Sequence, residues 1–131
     1  MTQKTRISTG SPFESSVGYS RAIRYGDTVL VSGTTGTKDG KVVGVGDARA
    51  QTVQALANIV WALEQAGASA SDVVRYRIYL TNIADWTAVT DEVARVFGLH
   101  RPTGTLVEVK GLILPEMLVE IEVDAVIGLT D

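Results

Sequence analysis

The sequence predicts a two-layer α+β domain: a mixed sheet of five or six strands with two helices on one face. Three observations carry this. Leu118–Ile127 alternates strictly between apolar and polar residues, the mark of a strand with two unlike faces. Two stretches, Asp47–Ala66 and Asp85–Phe97, change to the helical period. The element order is then β-β, a possible short β, and α-β-α-β-β, and two helices suffice to cover one face of such a sheet.

Taken in order, Ser8–Ser16 carries Gly10, Pro12 and several serines and reads as a surface loop. Ala22–Tyr25 and Thr28–Ser32 flank Gly26-Asp27, a two-residue turn suited to a hairpin because glycine takes positive φ freely. Ser32-Gly33-Thr34-Thr35-Gly36-Thr37 offers backbone amides and hydroxyls, suited to an anionic group or to a flexible connection; it lacks the Gly-Lys-Ser/Thr ending of a P-loop. Asp39-Gly40 before Lys41-Val42-Val43 predicts a second, short hairpin.

In the first helix Val53, Leu56, Ala57, Val60 and Leu63 form the expected inward stripe, with Asp47 as N-cap, Gly67 as the C-terminal stop and Trp61 at the flank. Ser69-x-x-Asp72 reads as a capping turn. Val73–Leu80 is a strand with Val74, Tyr76, Ile78 and Leu80 on one face and Val73, Arg75, Arg77 and Tyr79 on the other. The second helix points Trp86, Val89, Val93 and Phe97 inward and ends at Gly98. Thr105–Val109 is a further strand, and Leu112–Met117, with Pro115, is the loop before the acidic strand.

In that strand Val119, Ile121, Val123, Ala125 and Ile127 need a hydrophobic cover, so Glu120, Glu122 and Asp124 point away from the helices, as do Arg75 and Arg77. Leu30, Val73 and Leu118 are candidates for the same outer face. A face that is half apolar and half charged is awkward in water, and self-association that buries it is expected.

Composition bounds the function. The 131 residues suit one domain spanning 1–131, and 45% hydrophobic with 21% charged residues is ordinary for a globular chain. A net charge of -3 and the lack of any Lys/Arg run argue against nucleic acid and for a small uncharged or zwitterionic ligand. Without cysteine, and with His100 as the single histidine, neither a disulfide framework nor a thiolate or zinc site is expected. No apolar run reaches the ~20 residues of a membrane span, and Met1-Thr2-Gln3-Lys4 does not open a signal peptide, so cytoplasmic residence is the expectation.

Several motifs occur together: Gly18-Tyr19-Ser20-x-Ala22, Val31-Ser32-Gly33, Gln51-Thr52-x-x-Ala55-Leu56-x-Asn58, Ala66-Gly67-Ala68-Ser69-x-x-Asp72, Tyr79-Leu80-Thr81-Asn82, Arg101-Pro102, Val107-Glu108-Val109 and Val119-Glu120-Ile121-Glu122. In this order and spacing, from about residue 10 to 127, the chain resembles the RidA family, also called YjgF or L-PSP endoribonuclease. The resemblance implies a chorismate-mutase-like fold, a homotrimer whose sheets line a central barrel, and clefts between subunits. It also implies cofactor-free hydrolysis of imines or enamines to ketones and ammonia. By the same resemblance Tyr19, Ser32 and Gly33 match cleft positions, Gly104, Thr105 and Leu106 fall in the substrate-contacting segment, and Glu120 matches the carboxylate that positions or activates water.

Two departures stand out. Gly104 occupies the position where archetypal members carry an arginine that grips the substrate carboxylate, and Val17-Gly18-Tyr19 replaces the usual Gly-Pro-Tyr. Losing a bidentate charged contact typically costs on the order of 10²-fold in kcat/KM, so weak activity on amino-acid imines is expected. A glycine there is also expected to widen the cleft. Arg77, and secondarily Arg75, are the candidates for a charge network beside the cleft. For Glu120 two readings stand, water activation or an ion pair with Arg75 or Arg77. For the whole chain there are likewise two, an imine or enamine hydrolase or a non-catalytic trimer that binds a small metabolite. Ribonuclease action fits neither the acidic charge nor the single histidine.

Overall fold

The alternating strand lies in the middle of the sheet. In the computed structural model, which describes residues 3–131, the strands are β1 (Lys4–Ile7), β2 (Ala22–Tyr25), β3 (Thr28–Thr35), β4 (Thr37–Lys38), β5 (Lys41–Val42), β6 (Val73–Leu80), β7 (Thr103–Glu108) and β8 (Val119–Val126). The main sheet has six strands in the order β1-β2-β3-β8-β6-β7, and β4 and β5 form a separate short hairpin. All neighbours are antiparallel except β6 and β7, which are parallel. The parallel pair needs a crossover, and α2 (Trp86–Phe97) supplies it.

Both helices cover one face, the side to which β8 turns Val119, Ile121, Val123 and Ala125, each fully buried. The longer helix, α1 (Ala48–Gln65), starts where the Asp47 carboxylate accepts from the Ala50 amide at 3.0 Å and stops before Gly67, whose φ is +84°. Its buried stripe is Ala48, Thr52, Ala55, Leu56, Ile59, Ala62 and Leu63. The expected stripe was therefore rotated. Val53 and Ala57 lie outside, because the small residues Ala55 and Ala62 take the side nearest the sheet. Gln51, fully buried, fastens the helix to the chain entering β8: its Nε2 donates to the carbonyl of Glu116 at 2.8 Å, and its Oε1 accepts from the Leu118 amide at 2.8 Å.

Three further points refine the expectations. β1, a strand at the sheet edge with Lys4 and Arg6 along it, falls in a segment with no apolar alternation to announce it. Along β6 the register with β8 slips between Val73 and Arg75, so that Val73 faces Ala125 and is buried while Val74 is exposed. A single extra residue at this bulge reverses the faces expected for these two valines. On α2, Val89, Val93 and Phe97 are buried as expected, but Trp86 opens the helix and is 54% exposed. The Gly26-Asp27 hairpin and the Ser69/Asp72 capping box form as predicted.

Candidate functional site

The second irregularity in the sheet shapes the site. β3 pairs Val31 with Val123 and Thr34 with Ile121, leaving two residues of β3 against one of β8, so Ser32-Gly33 bulges out of the ladder. Glu120 of β8 lies against this bulge. A side-chain carbon built on Gly33 would stand 2.7 Å from the Glu120 Oε2 and 2.9 Å from its carboxyl carbon. Glycine at 33 is thus what gives the carboxylate its room. Ser32 shapes the backbone here, its hydroxyl donating to the Ser20 carbonyl at 2.6 Å.

The three carboxylates of β8 have different fates. Glu122 and Asp124 share the Arg77 guanidinium, each at 3.5 Å, and Glu122 also accepts a short hydrogen bond from the Tyr79 hydroxyl. Among the described residues Glu120 has no ion-pair or hydrogen-bond partner, although it is half-buried. Burial raises its pKa above the ordinary carboxylate value; Arg21 opposes this and Glu122 adds to it. The expected pairing of Glu120 with Arg75 or Arg77 is not what the protomer shows. Arg77 neutralises the other two carboxylates, and Arg75, opposite Asp124 in register, makes no ion pair among the described residues.

Arg21, which stood as the unspecified position in Gly18-Tyr19-Ser20-x-Ala22, is the cation next to Glu120. Its Nη2 donates to the Gly33 carbonyl at 2.5 Å, and its guanidinium carbon lies 5.8 Å from the centre of the Tyr19 ring, a cation-π distance. Hairpin register could have found it. Ala22 pairs with Val31, which puts Arg21 beside Ser32-Gly33.

Tyr19 and Arg21 border a hollow of about 810 Å³ whose wall also includes Phe13, Thr35, Trp61 and Met117. Trp61, expected at the flank of the inward stripe, is 41% exposed and lies on this wall. Glu14 fixes the loop that closes one side of the hollow. It is buried, and its Oε2 accepts from the Thr9 hydroxyl at 2.6 Å and the Thr9 amide at 3.1 Å.

Tyr19, Ser32, Gly33 and Glu120 therefore come together, whereas Gly104, Thr105 and Leu106 do not join them within one chain. They belong to β7, three strands from β3 in the sheet, or roughly 14 Å at ordinary strand spacing. Within one chain the space at Gly104, where a wider cleft was expected, is filled. The Tyr76 ring lies over it, with ring atoms 2.4 and 2.5 Å from where its Cβ would be, and stacks on Phe97 at a centroid distance of 6.0 Å. Thr105 lies opposite Arg77, and Leu106 packs against the core. Among the described residues no group of three His, Cys, Asp or Glu side chains could hold a metal, and no helix is long and apolar enough to cross a membrane.

Residues 9–127 match the family model described as Endoribonuclease L-PSP. The chain is 51% identical to Rv2704 of Mycobacterium tuberculosis, whose crystal structure is described as that of a member of the YjgF family; the two superpose with a TM-score of 0.87 over 95% of this chain and 100% of that one. It is 38% identical over 126 residues to an uncharacterized protein of Streptomyces coelicolor, covering 96% of this chain and 94% of the relative. A protein of Acinetobacter baylyi named 3-aminoacrylate deaminase RutC is 38% identical over 104 residues, 79% of this chain and 82% of that one.

Proposed function

The chain belongs to the Endoribonuclease L-PSP family, the YjgF/RidA proteins, and from that premise we propose that it hydrolyses a small imine or enamine in a cleft between the subunits of a homotrimer. The observation that carries this reading is Glu120, the acidic-strand carboxylate left without a partner at the Gly33 bulge while Arg77 and Tyr79 engage the others. A sheltered carboxylate of raised pKa suits a general base working near neutral pH. Glu120 takes a proton from water as its oxygen bonds to the imine carbon. The imine enters protonated on nitrogen, so this addition gives a neutral carbinolamine; Glu120 then passes its proton to the nitrogen, the carbon-nitrogen bond breaks, and the hydroxyl proton leaves with the nitrogen, giving a ketone and ammonium. An enamine first takes a proton on carbon to become the imine; 3-aminoacrylate, of which the RutC relative is named a deaminase, is such an enamine.

Two features support the trimer. β6 separates Gly104–Leu106 on β7 from Glu120 on β8, and a second copy would bring the two walls together. The outer sheet face also mixes charges with exposed apolar side chains such as Leu30 and Val107, a face suited to burial in an interface. Light scattering coupled to size exclusion is expected to give three times the 14.0 kDa chain mass. Arg77→Ala, which leaves Glu122 and Asp124 unneutralised in that interface, should raise the concentration at which the trimer falls apart by roughly fivefold, the range of an ion pair worth about 1 kcal/mol. A monomer at micromolar concentration would remove the cleft altogether.

Ammonia release from freshly generated 2-iminobutyrate or 2-aminoacrylate tests the reaction. The expected rate is measurable but below that of a family member with arginine at the position of Gly104, by up to about 10²-fold, the worth of an uncompensated bidentate contact. A rate equal to such a member's would overturn the significance given to Gly104. No release over a panel of imines would instead make the protein a metabolite-binding trimer.

A further inference from the structure

Arg21 is the one described residue whose side chain keeps a buried hydrogen-bond donor unmatched: its Nε meets no acceptor. No carboxylate among the described residues is within the 4.0 Å of an ion pair, so Glu14 and Glu120 act on it only from farther off. A sheltered cation without a counterion is costly and is normally completed by a partner or a ligand. A guanidinium carries five N–H donors, and the Gly33 carbonyl takes only one.

We propose that Arg21 is the anion-recognising residue of the cleft, holding the carboxylate of the bound metabolite on the β2–β3 wall in place of the arginine that the family pattern puts at Gly104. This rests on the reading that the cleft takes a small metabolite, and it names the class, a ligand with a carboxylate next to its reactive carbon. Arg21 borders the hollow, and the Tyr19 ring stacked near its guanidinium together with the bond to Gly33 fixes the orientation of the charged plane. Glu120 reaches the same glycine from the neighbouring strand. Arg21 and Glu120 thus both border Gly33, one at its carbonyl and the other at its α-carbon, although Glu120 is not part of the wall of the hollow. Arg21 lies beside the Ser32-Gly33 bulge of β3, not on β7, where the family pattern puts its arginine.

The test is binding without turnover. 2-Oxobutyrate, the ketone that 2-iminobutyrate hydrolysis would yield, and its uncharged methyl ester are titrated calorimetrically into the trimer. Wild type is expected to prefer the anion. Arg21→Gln should weaken 2-oxobutyrate by about 10- to 100-fold and leave the ester unchanged, and Arg21→Lys, which keeps the charge but not the planar fork, should fall between. If Arg21→Gln does not fold, Arg21→Lys alone decides, with an expected loss of several-fold for the anion only. Equal binding of anion and ester by wild type, unchanged anion binding in the variant, or an equal loss of both ligands would each overturn the inference. Retained anion preference with no ammonia release would leave Arg21 in its role and remove only the hydrolytic reading.

Discussion

Glu120→Gln is expected to lower kcat for ammonia release by about 10²- to 10⁴-fold while leaving the trimer mass and 2-oxobutyrate binding within about twofold. The substitution keeps the shape of the side chain, and since Glu120 has no hydrogen-bond or ion-pair partner among the described residues, it leaves no group stranded. The groups around the carboxylate are Arg21 from the start of β2, Glu122 on its own strand, and Thr35 and Tyr79 opposite it on β3 and β6. Burial is the largest influence and raises the pKa, Arg21 lowers it, Glu122 raises it, and the result lies above the ordinary value. A carboxyl group whose folded pKa is raised binds its proton more tightly in the native state. Its stabilising contribution is present below the unfolded value of 4.5 and is lost as pH rises through the folded value, so Glu120→Gln should be neutral or stabilising at pH 7. For the reaction the sign is opposite. The base must be ionised, so the acid limb of the kcat/KM profile should lie above the usual carboxylate range, and Arg21→Gln should move it higher still. Turnover that survives Glu120→Gln would leave the carboxylate a structural role only.

Period-two reasoning recovers the buried row of β8 because that strand has no bulge of its own. It fails where neighbouring strands carry an extra residue. Val73 and Val74 exchange faces for that reason, and nothing in their side chains announces the slip. The bulge at Ser32-Gly33 was equally invisible as a bulge, yet the glycine itself was a usable sign, because a missing Cβ often marks a close approach by another group. Arg21 shows a different limit. Its neighbours lie across a hairpin whose turn was read correctly, but the residue was passed over as a variable position within a motif, and only the register places it at the bulge. On α1 the expected stripe took in Val53, Ala57 and Val60, whereas the buried one runs through Ala55, Ile59 and Ala62. Helix-to-sheet packing prefers the alanines there, since a small side chain lets the backbone come close.

Gly104→Arg, which puts back the side chain the family pattern carries, is expected to destabilise the protein by about 2–3 kcal/mol and lower Tm by roughly 5–10 °C, without restoring activity on 2-iminobutyrate. The reason is Tyr76. Its ring atoms Cε1 and Cζ lie 2.4 and 2.5 Å from the Cβ position of residue 104 and its hydroxyl lies at 2.8 Å, far inside van der Waals contact. The ring cannot simply lean away, for it stacks on Phe97 at 18° between planes, and Phe97 is only 2% exposed. Swinging it out forfeits an aromatic contact worth about 0.5–1.5 kcal/mol and opens the core beside α2, while an arginine that leaves the ring in place is deflected from the cleft. Gly104 and Tyr76 thus form one unit, a small residue on β7 matched to a large one directly opposite on β6. The double variant Gly104→Arg, Tyr76→Ala should therefore be more stable than the sum of its two single variants by about 2 kcal/mol, since the arginine no longer meets the ring. It should also release ammonia faster than Tyr76→Ala alone. Thermal unfolding of the four proteins, with ammonia assays on the same samples, decides the matter: additive losses would mean that the ring yields freely and that the glycine is not there to accommodate it.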